Sequence, residues 1–281
     1  MALAVGNIPF YLKTAFLFTK SDFKTTVLPC TIFGAAIAPL AGLSRIPHVA
    51  FWAWLQIFCF DIANQALFPD EDRLNKPYRP IPSGRISIEN ALKLRWVMVM
   101  IGFIHSAFYS VETVYAAIGN LIIALLYCEL RVDAMHWTIR TLIGGVGYIP
   151  YLAGAILVAG SDPHTIDSFG IYALAISAGI YGTTYCAQDF KDVAGDKAVG
   201  RQTFPIVHPT FSRIAYLLLA LFWSIAVSMD LQIKPLFACI PVALGFLTGA
   251  RFVLWNSVKS DQLSFMFHGV CMSYCSQISV F

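Results

Sequence analysis

The sequence predicts an all-α, polytopic integral membrane protein with about nine transmembrane helices. Three observations predict it. Charged residues make up only 12% of the 281 residues, where a soluble domain carries about 25%, so the chain lacks the polarity to cover a water-facing surface. Apolar runs of about 20 residues, enough to cross the hydrocarbon of a bilayer, recur along the chain. With the N-terminus in the cytosol, every Lys and Arg except Arg45 and Lys234 falls on the cytosolic side or at that end of a span, as the positive-inside rule requires. A backbone in lipid is satisfied only in helices or closed barrels, and these runs are too long and too evenly apolar for barrel strands.

The elements follow in order. The first twenty residues, with Phe10, Tyr11, Phe16 and Phe18 beside Lys13 and Lys20, read as an interfacial helix. Lys13 interrupts the apolar run and no charged stretch precedes it, which argues against a signal peptide. The predicted spans are 24–43, 47–68, 92–110, 112–130, 141–160, 169–188, 210–229, 234–253 and 262–281. Two cytosolic connections stand out, residues 69–91 after the second span and 189–208 after the sixth. Each runs acids first and bases after, which suggests a loose internal duplication. No linker divides the chain, so residues 1–281 read as one transmembrane domain. The seven cysteines include no CxxC and lie mostly in apolar runs, as small buried hydrophobes do. The net charge of +3 comes without a basic run, which points away from nucleic acid. The composition demands the lipid bilayer as a partner and marks no obligate protein partner.

Function concentrates in the two polar connections. Asp189, Asp192 and Asp196 are spaced i, i+3, i+7. If the sixth helix continues past the membrane edge, the three carboxylates share a face and repel unless a cation sits among them. Hard oxygen ligands select Mg2+, which keeps several waters and binds substrate phosphates. Lys191 and Arg201 stand close by for the remaining phosphate oxygens. The first connection offers the same kit: Asn64, then Asp70, Glu71 and Asp72, then Lys76 and Arg79. Pro77, Pro80 and Pro82 are expected to hold that last stretch extended. Asp61, within the second span, reads either as functional or as polar glue between helices. Two such clusters facing each other would hold Mg2+ and a diphosphate, with a hydrocarbon tail in the apolar interior beneath. Metal ions and cationic side chains neutralise a departing diphosphate, and the carbocation left behind needs a dry, aromatic cavity. Tyr181 and Tyr185, shortly before Asp189, are the aromatics expected nearest to it.

Over nearly the whole chain this pattern resembles the UbiA superfamily of intramembrane prenyltransferases. The family's first motif, NDxxDxxxD, is met at its ends by Asn64 and Asp72, while Gln65 and Phe68 replace its second residue and its middle Asp. Its RPLPSG-like tail matches Arg79 to Gly84, and its second motif, DxxDxxxD, matches in full at Asp189, Asp192 and Asp196. The resemblance implies helices around a central cavity, Mg2+ as cofactor and an isoprenoid diphosphate as substrate. It implies metal ligands among Asn64, Asp70, Glu71, Asp72, Asp189, Asp192 and Asp196, with Asn64, Asp72 and the three later aspartates carrying the chemistry. Lys76, Arg79, Lys191, Arg201, Tyr181 and Tyr185 are the implied substrate contacts. The departures at Gln65 and Phe68 look more like the fungal UbiA-type terpene cyclases. These ionise a linear diphosphate, such as farnesyl or geranylgeranyl diphosphate, and close it on itself. An aromatic prenyltransferase of the same architecture is the alternative, and a membrane transporter a third. The expected location is the endoplasmic reticulum or another endomembrane, with the site facing the cytosol. Asp72→Ala and Asp189→Ala are expected to abolish product without unfolding the chain.

Overall fold

Long apolar runs become helices because lipid leaves the backbone no other partner. The computed structural model describes residues 7–230 and 235–277. Helix α1 (Ile8–Thr19) precedes α2 (Leu28–Ile37), which a π turn, Phe23–Val27, leads into. Then come α3 (Arg45–Leu67), the short α4 (Pro69–Asn75), α5 (Ile88–Ala107) and α6 (Val111–Ala124), which a second π turn extends through Leu125–Glu129. Gly147 joins α7 (Trp137–Val146) to α8 (Tyr148–Ala159). The 3-10 segment Tyr185–Lys191 prolongs α9 (Ser168–Thr184) and leads to the short α10 (Val193–Ala198) and α11 (Phe204–Val207). The chain finishes with α12 (Pro209–Asp230), α13 (Pro235–Leu254) and α14 (Val258–Gln277).

Each of the nine predicted spans therefore has its helical segment among the described residues. Four segments are long and apolar enough to cross a membrane by length and composition alone: Arg45–Leu67, Val111–Glu129, Trp137–Ala159 and Pro209–Asp230. Lys234 and the end of the ninth span lie outside the described residues. Exposed Phe10, Tyr11 and Phe16 line the outside of α1, while its buried Phe18 packs on Phe58 and Ile62 of α3.

Small residues let the helices approach closely, as lipid-embedded packing requires. A Cβ on Gly154 of α8 would stand 2.0 Å from the ring of Trp52, which is fully buried and donates its indole N–H to Ser106 at 2.9 Å. At Gly145 a Cβ would fall 2.3 Å from the backbone of Tyr181 and Gly182, so α7 and α9 touch backbone to backbone. The core runs from Val27 and Phe33 through Trp52, Leu152 and Ile180 to Tyr216 and Phe252.

Two expectations are corrected. The Pro-rich stretch after Lys76 is not extended. It folds into successive turns, with the N–H groups of Ser83, Gly84 and Arg85 donating to the carbonyls of Arg79, Ile81 and Pro80 at 3.0, 3.0 and 2.9 Å. The proline φ suits the first position of a turn as well as an extended chain, and Gly84 takes the left-handed φ of +72° that the reversal needs. The sixth span does not run on as an α-helix either. It tightens into the 3-10 segment and breaks at Asp192, which leads into α10 with φ −106° and ψ 4°.

Candidate active site

The two polar connections meet. Helix α4 of the first packs on α10 of the second, and Gly195 admits Asn75 so closely that a Cβ there would lie 2.2 Å from its amide. Asn75 Nδ2 donates to the Asp192 carbonyl at 3.5 Å. Lys76 stands 3.9 Å from Asp192, and Arg201 spans from Glu71 (2.7 Å) to Asp196 (2.8 Å).

The predicted acids do not share one bare face, because arginines pair with all of them except Asp192. Arg79 Nη1 donates to both carboxylate oxygens of buried Asp72, at 2.8 and 3.0 Å, and Nη2 to Ser21 at 3.2 Å. Arg140 clasps Asp189 through Nη2 at 2.8 Å and Nε at 3.1 Å, and reaches Asp133 at 2.9 Å and the Tyr127 hydroxyl at 2.8 Å. Arg201 holds Asp196 and also lies 3.2 Å from Asp133. Asp70 points outward into an exposed pair with Arg73. Asp192 alone of the second motif lines the central cavity, with Lys191 donating to it at 2.5 Å. The 3-10 turn rotates the three side chains apart, so each finds its own cation.

That cavity has a volume of about 510 Å3, within the range of about 300–1,000 Å3 common to small-molecule sites. Its polar end is built by Lys20, Asp22 and Lys24 before α2, Asp61 and Asn64 on α3, Glu71, Lys76 and Arg79 of the first connection, Lys191, Asp192 and Arg201 of the second, and Lys259 on α14. Its inner wall is apolar and aromatic: Ile57, Phe60, Tyr127, Tyr148, Tyr151, Tyr185 and Phe265. The ring of Tyr185 packs against Gly144, where a Cβ would sit 1.9 Å from it. Tyr181 stands one layer behind, stacked on Tyr148 with centroids 4.8 Å apart.

The charges are unevenly poised. Burial acts to raise Asp192, but Lys191 and Lys76 outweigh it and hold the carboxyl down at about 2. Burial pushes Asp196 up to about 7, against the pull of Arg140 and Arg201. Asp192 therefore stays an anion at neutral pH, while Asp196 is close to sharing a proton.

Among the described residues no three His, Cys, Asp or Glu side chains converge as a metal cage. The donor set still fits Mg2+, which needs only one or two carboxylates besides waters and substrate phosphates. Asp192, Glu71, Asn64 and Asp61 all present hard oxygens to the cavity, and Asp61 Oδ2 is buried without a hydrogen-bond partner.

The substituted motif positions have structural work. Gln65 is buried and donates to the Phe18 carbonyl at 2.8 Å, tying α3 to α1. Phe68 lies beneath two guanidinium groups, those of Arg131 at 4.5 Å and Arg201 at 5.7 Å, contacts in which the cation meets the ring face.

Residues 27–270 match the pattern of the UbiA prenyltransferase family. The chain belongs to that family. Fumagillin beta-trans-bergamotene synthase of Aspergillus fumigatus is 31% identical over 208 residues, which are 73% of this chain and 70% of the relative. The diterpene cyclase eriG of Hericium erinaceus is 29% identical over 92% of this chain and 84% of its own. A solved UbiA homolog from Archaeoglobus fulgidus bound to DMAPP and Mg2+ superposes with a TM-score of 0.68, covering 95% of this chain and 99% of that one at 14% identity. The UbiA fold of this chain is thus shared far beyond the reach of sequence likeness.

Sequence reasoning missed several members of the site. Arg140 reads as a charge at the edge of the fifth span, yet α7 begins three residues before it and carries it inside. Asp133 lies seven residues earlier, a separation that hides its contact with both Arg140 and Arg201. Asp22 is the one lost signal: an acid between Lys20 and Lys24, where a simple anchor would be basic throughout.

Proposed function

We propose that this chain is a Mg2+-dependent class I terpene cyclase that ionises farnesyl or geranylgeranyl diphosphate and cyclises the carbocation inside the bundle. The observation that carries the reading is the meeting of the two polar connections over the mouth of one aromatic-walled cavity. The relatives that are a synthase and a cyclase support cyclisation over transfer.

The diphosphate binds at the polar end, where Lys76, Lys191, Lys20, Lys24 and Lys259 face its oxygens as point charges. Arg79 and Arg201, fixed by Asp72 and Asp196, present rigid guanidinium edges to the same space. Mg2+, held by Asp192 with Asn64, Glu71 and Asp61, would neutralise charge as it develops on the leaving group. Asp72, Asp189 and Asp196 act through the arginines they position rather than by direct ligation, and Asp70 stays in solvent. The hydrocarbon extends past Phe60 toward Tyr148, Tyr151 and Tyr185, whose ring faces stabilise the migrating cation and whose packing excludes water. Tyr181 supports Tyr148 from behind. The membrane is an endomembrane such as the endoplasmic reticulum, with the polar end facing the cytosol and its soluble diphosphates.

The test is purified protein in Mg2+ with C10, C15 or C20 diphosphates and no acceptor, analysed for volatile products. A cyclic hydrocarbon is expected. Inertness until a phenol or quinone precursor is added would overturn the cyclase in favour of an aromatic prenyltransferase, the reading that the family's own description favours.

A further inference from the structure

A second, much smaller cavity sits between α3, α5 and α6, one layer behind the reaction chamber. Gln56, Cys59, Arg95 and Asn120 line it beside Val99 and Phe103, and its volume is about 10 Å3, room for about one water molecule. Gln56, Arg95 and Asn120 are 6%, 2% and 5% exposed. Each carries buried atoms without a hydrogen-bond partner: Gln56 Nε2, Arg95 Nε and Nη2, and both amide atoms of Asn120. Arg95 Nη1 pairs with Glu129, so the guanidinium is already neutralised and the void asks for a neutral ligand rather than an anion. Ala117, Leu121 and Ala124 complete a lining that is otherwise apolar, but the unpaired donors and the Asn120 acceptor supply the two to four polar partners that hold a buried water.

Phe60 lines both this void and the main cavity. Its ring leans on Tyr127, with centroids 5.5 Å apart. It stands one helical turn deeper along α3 than Asn64, about 6 Å.

We propose that the void between Gln56, Arg95 and Asn120 is a water site, and that Phe60 is the partition that keeps its water from the cation. This rests on the ionisation step of the function proposed above. With Phe60 in place the cation ends by losing a proton from carbon to the departed diphosphate, which yields a hydrocarbon. With the ring removed, the water oxygen donates a lone pair to the cationic carbon and forms a C–O bond. The extra proton on that oxygen passes to the same diphosphate, and the product is an alcohol. Phe60 is thus a specificity determinant, and the polar void behind it decides which nucleophile is kept out.

The experiment incubates wild type, Phe60→Ala and Phe60→Ala/Asn120→Leu with the isoprenoid diphosphate and Mg2+ in 18O-labelled water, without acceptor. The expected result is a labelled alcohol whose share of product rises at least about tenfold in Phe60→Ala and falls back in the double variant. A Phe60→Ala enzyme that consumes the diphosphate and makes no more labelled alcohol than wild type overturns the proposal. So does label that persists in the double variant. Should wild type prove inert without an aromatic acceptor, the cyclase reading falls alone, because ionisation followed by water capture then appears as a linear labelled prenyl alcohol. Where the variant fails to fold or to turn over, an experimental density map of wild type decides. A water bonded to Gln56 and Asn120 upholds the site, and a dry void overturns it.

Discussion

Asp192 and Asp189 belong to one motif, yet their surroundings give them different work. Asp192 faces the cavity and is ionised by its two lysines, whereas Asp189 is wrapped by Arg140 and Asp72 by Arg79. Asp192→Asn is therefore expected to lower turnover by about 10²-fold or more and also to lower the melting temperature in detergent at neutral pH, because Lys191 and Lys76 hold this carboxylate ionised in the folded chain. Asp72→Ala and Asp189→Ala are expected to lose activity and stability together. Each takes from a buried guanidinium the carboxylate it holds with two hydrogen bonds or more, leaving Arg140 with Asp133 and the Tyr127 hydroxyl and Arg79 with Ser21 and Asp22 at 3.6 Å. The cost is therefore expected to stay below the roughly 3–5 kcal/mol of a fully unpaired buried charge, and both proteins to melt lower than wild type. If either melts like wild type and only turnover is lost, it acts as a direct ligand. Asp196 adds a pH signature. Burial raises its folded pKa to about 7, well above the ordinary aspartate range, so the folded chain keeps a proton that the unfolded chain releases. Stability is then full at low pH and falls as pH rises through this window. Thermal melts from pH 5 to 8 are expected to decline in wild type, and Asp196→Asn is expected to flatten that slope.

At the scale of the elements, α7 sets the site through its two adjacent glycines. A methyl group at Gly145 would meet the α9 backbone at 2.3 Å, and one at Gly144 would meet the Tyr185 ring at 1.9 Å. Backbone does not yield, so Gly145→Ala is expected to destabilise by about 1–3 kcal/mol, read as a lower melting temperature. A ring can swing, so Gly144→Ala is expected to keep its stability and shift the product distribution. The positions of the helices were legible because hydrophobic length is all that a bilayer asks of a span. Their ends were less so. Neither the π turn before α2 nor the 3-10 turn at Asp189 leaves a mark in apolar periodicity, because both preserve composition and change only the hydrogen-bond step. The same blindness hid how the second motif works. DxxDxxxD was readable as a motif, but its assignment to one face assumed 100° per residue, and the chain turns differently there. Arg140 was hidden for another reason: a cation at a span edge looks identical whether it faces headgroups or clasps two buried carboxylates.

The molecule as a whole is a helical bundle in which the two polar connections meet at the mouth of one cavity. Five lysines line the cavity mouth while the buried arginines are spent on carboxylates within the protein. The mouth is thus cationic without its acids being bare, a balance that suits an anion and a metal arriving together better than either alone. Pyrophosphate by itself meets Asp192 and Glu71, which repel it. Mg2+ by itself meets Lys191 and Lys76 beside its ligands. Bound together, each screens the other's unfavourable neighbour. The expected outcome is a cooperative shift in detergent melts: Mg2+ alone and pyrophosphate alone move the midpoint little, and the two together raise it by more than the sum. Saturation at about 100 times the dissociation constant corresponds to about 2.7 kcal/mol of stabilisation. Asp192→Asn is expected to remove the excess while keeping the small pyrophosphate shift, because the lysines remain. Additive shifts in wild type would mean that metal and anion bind apart, and that the two polar connections, although they touch, do not form one site.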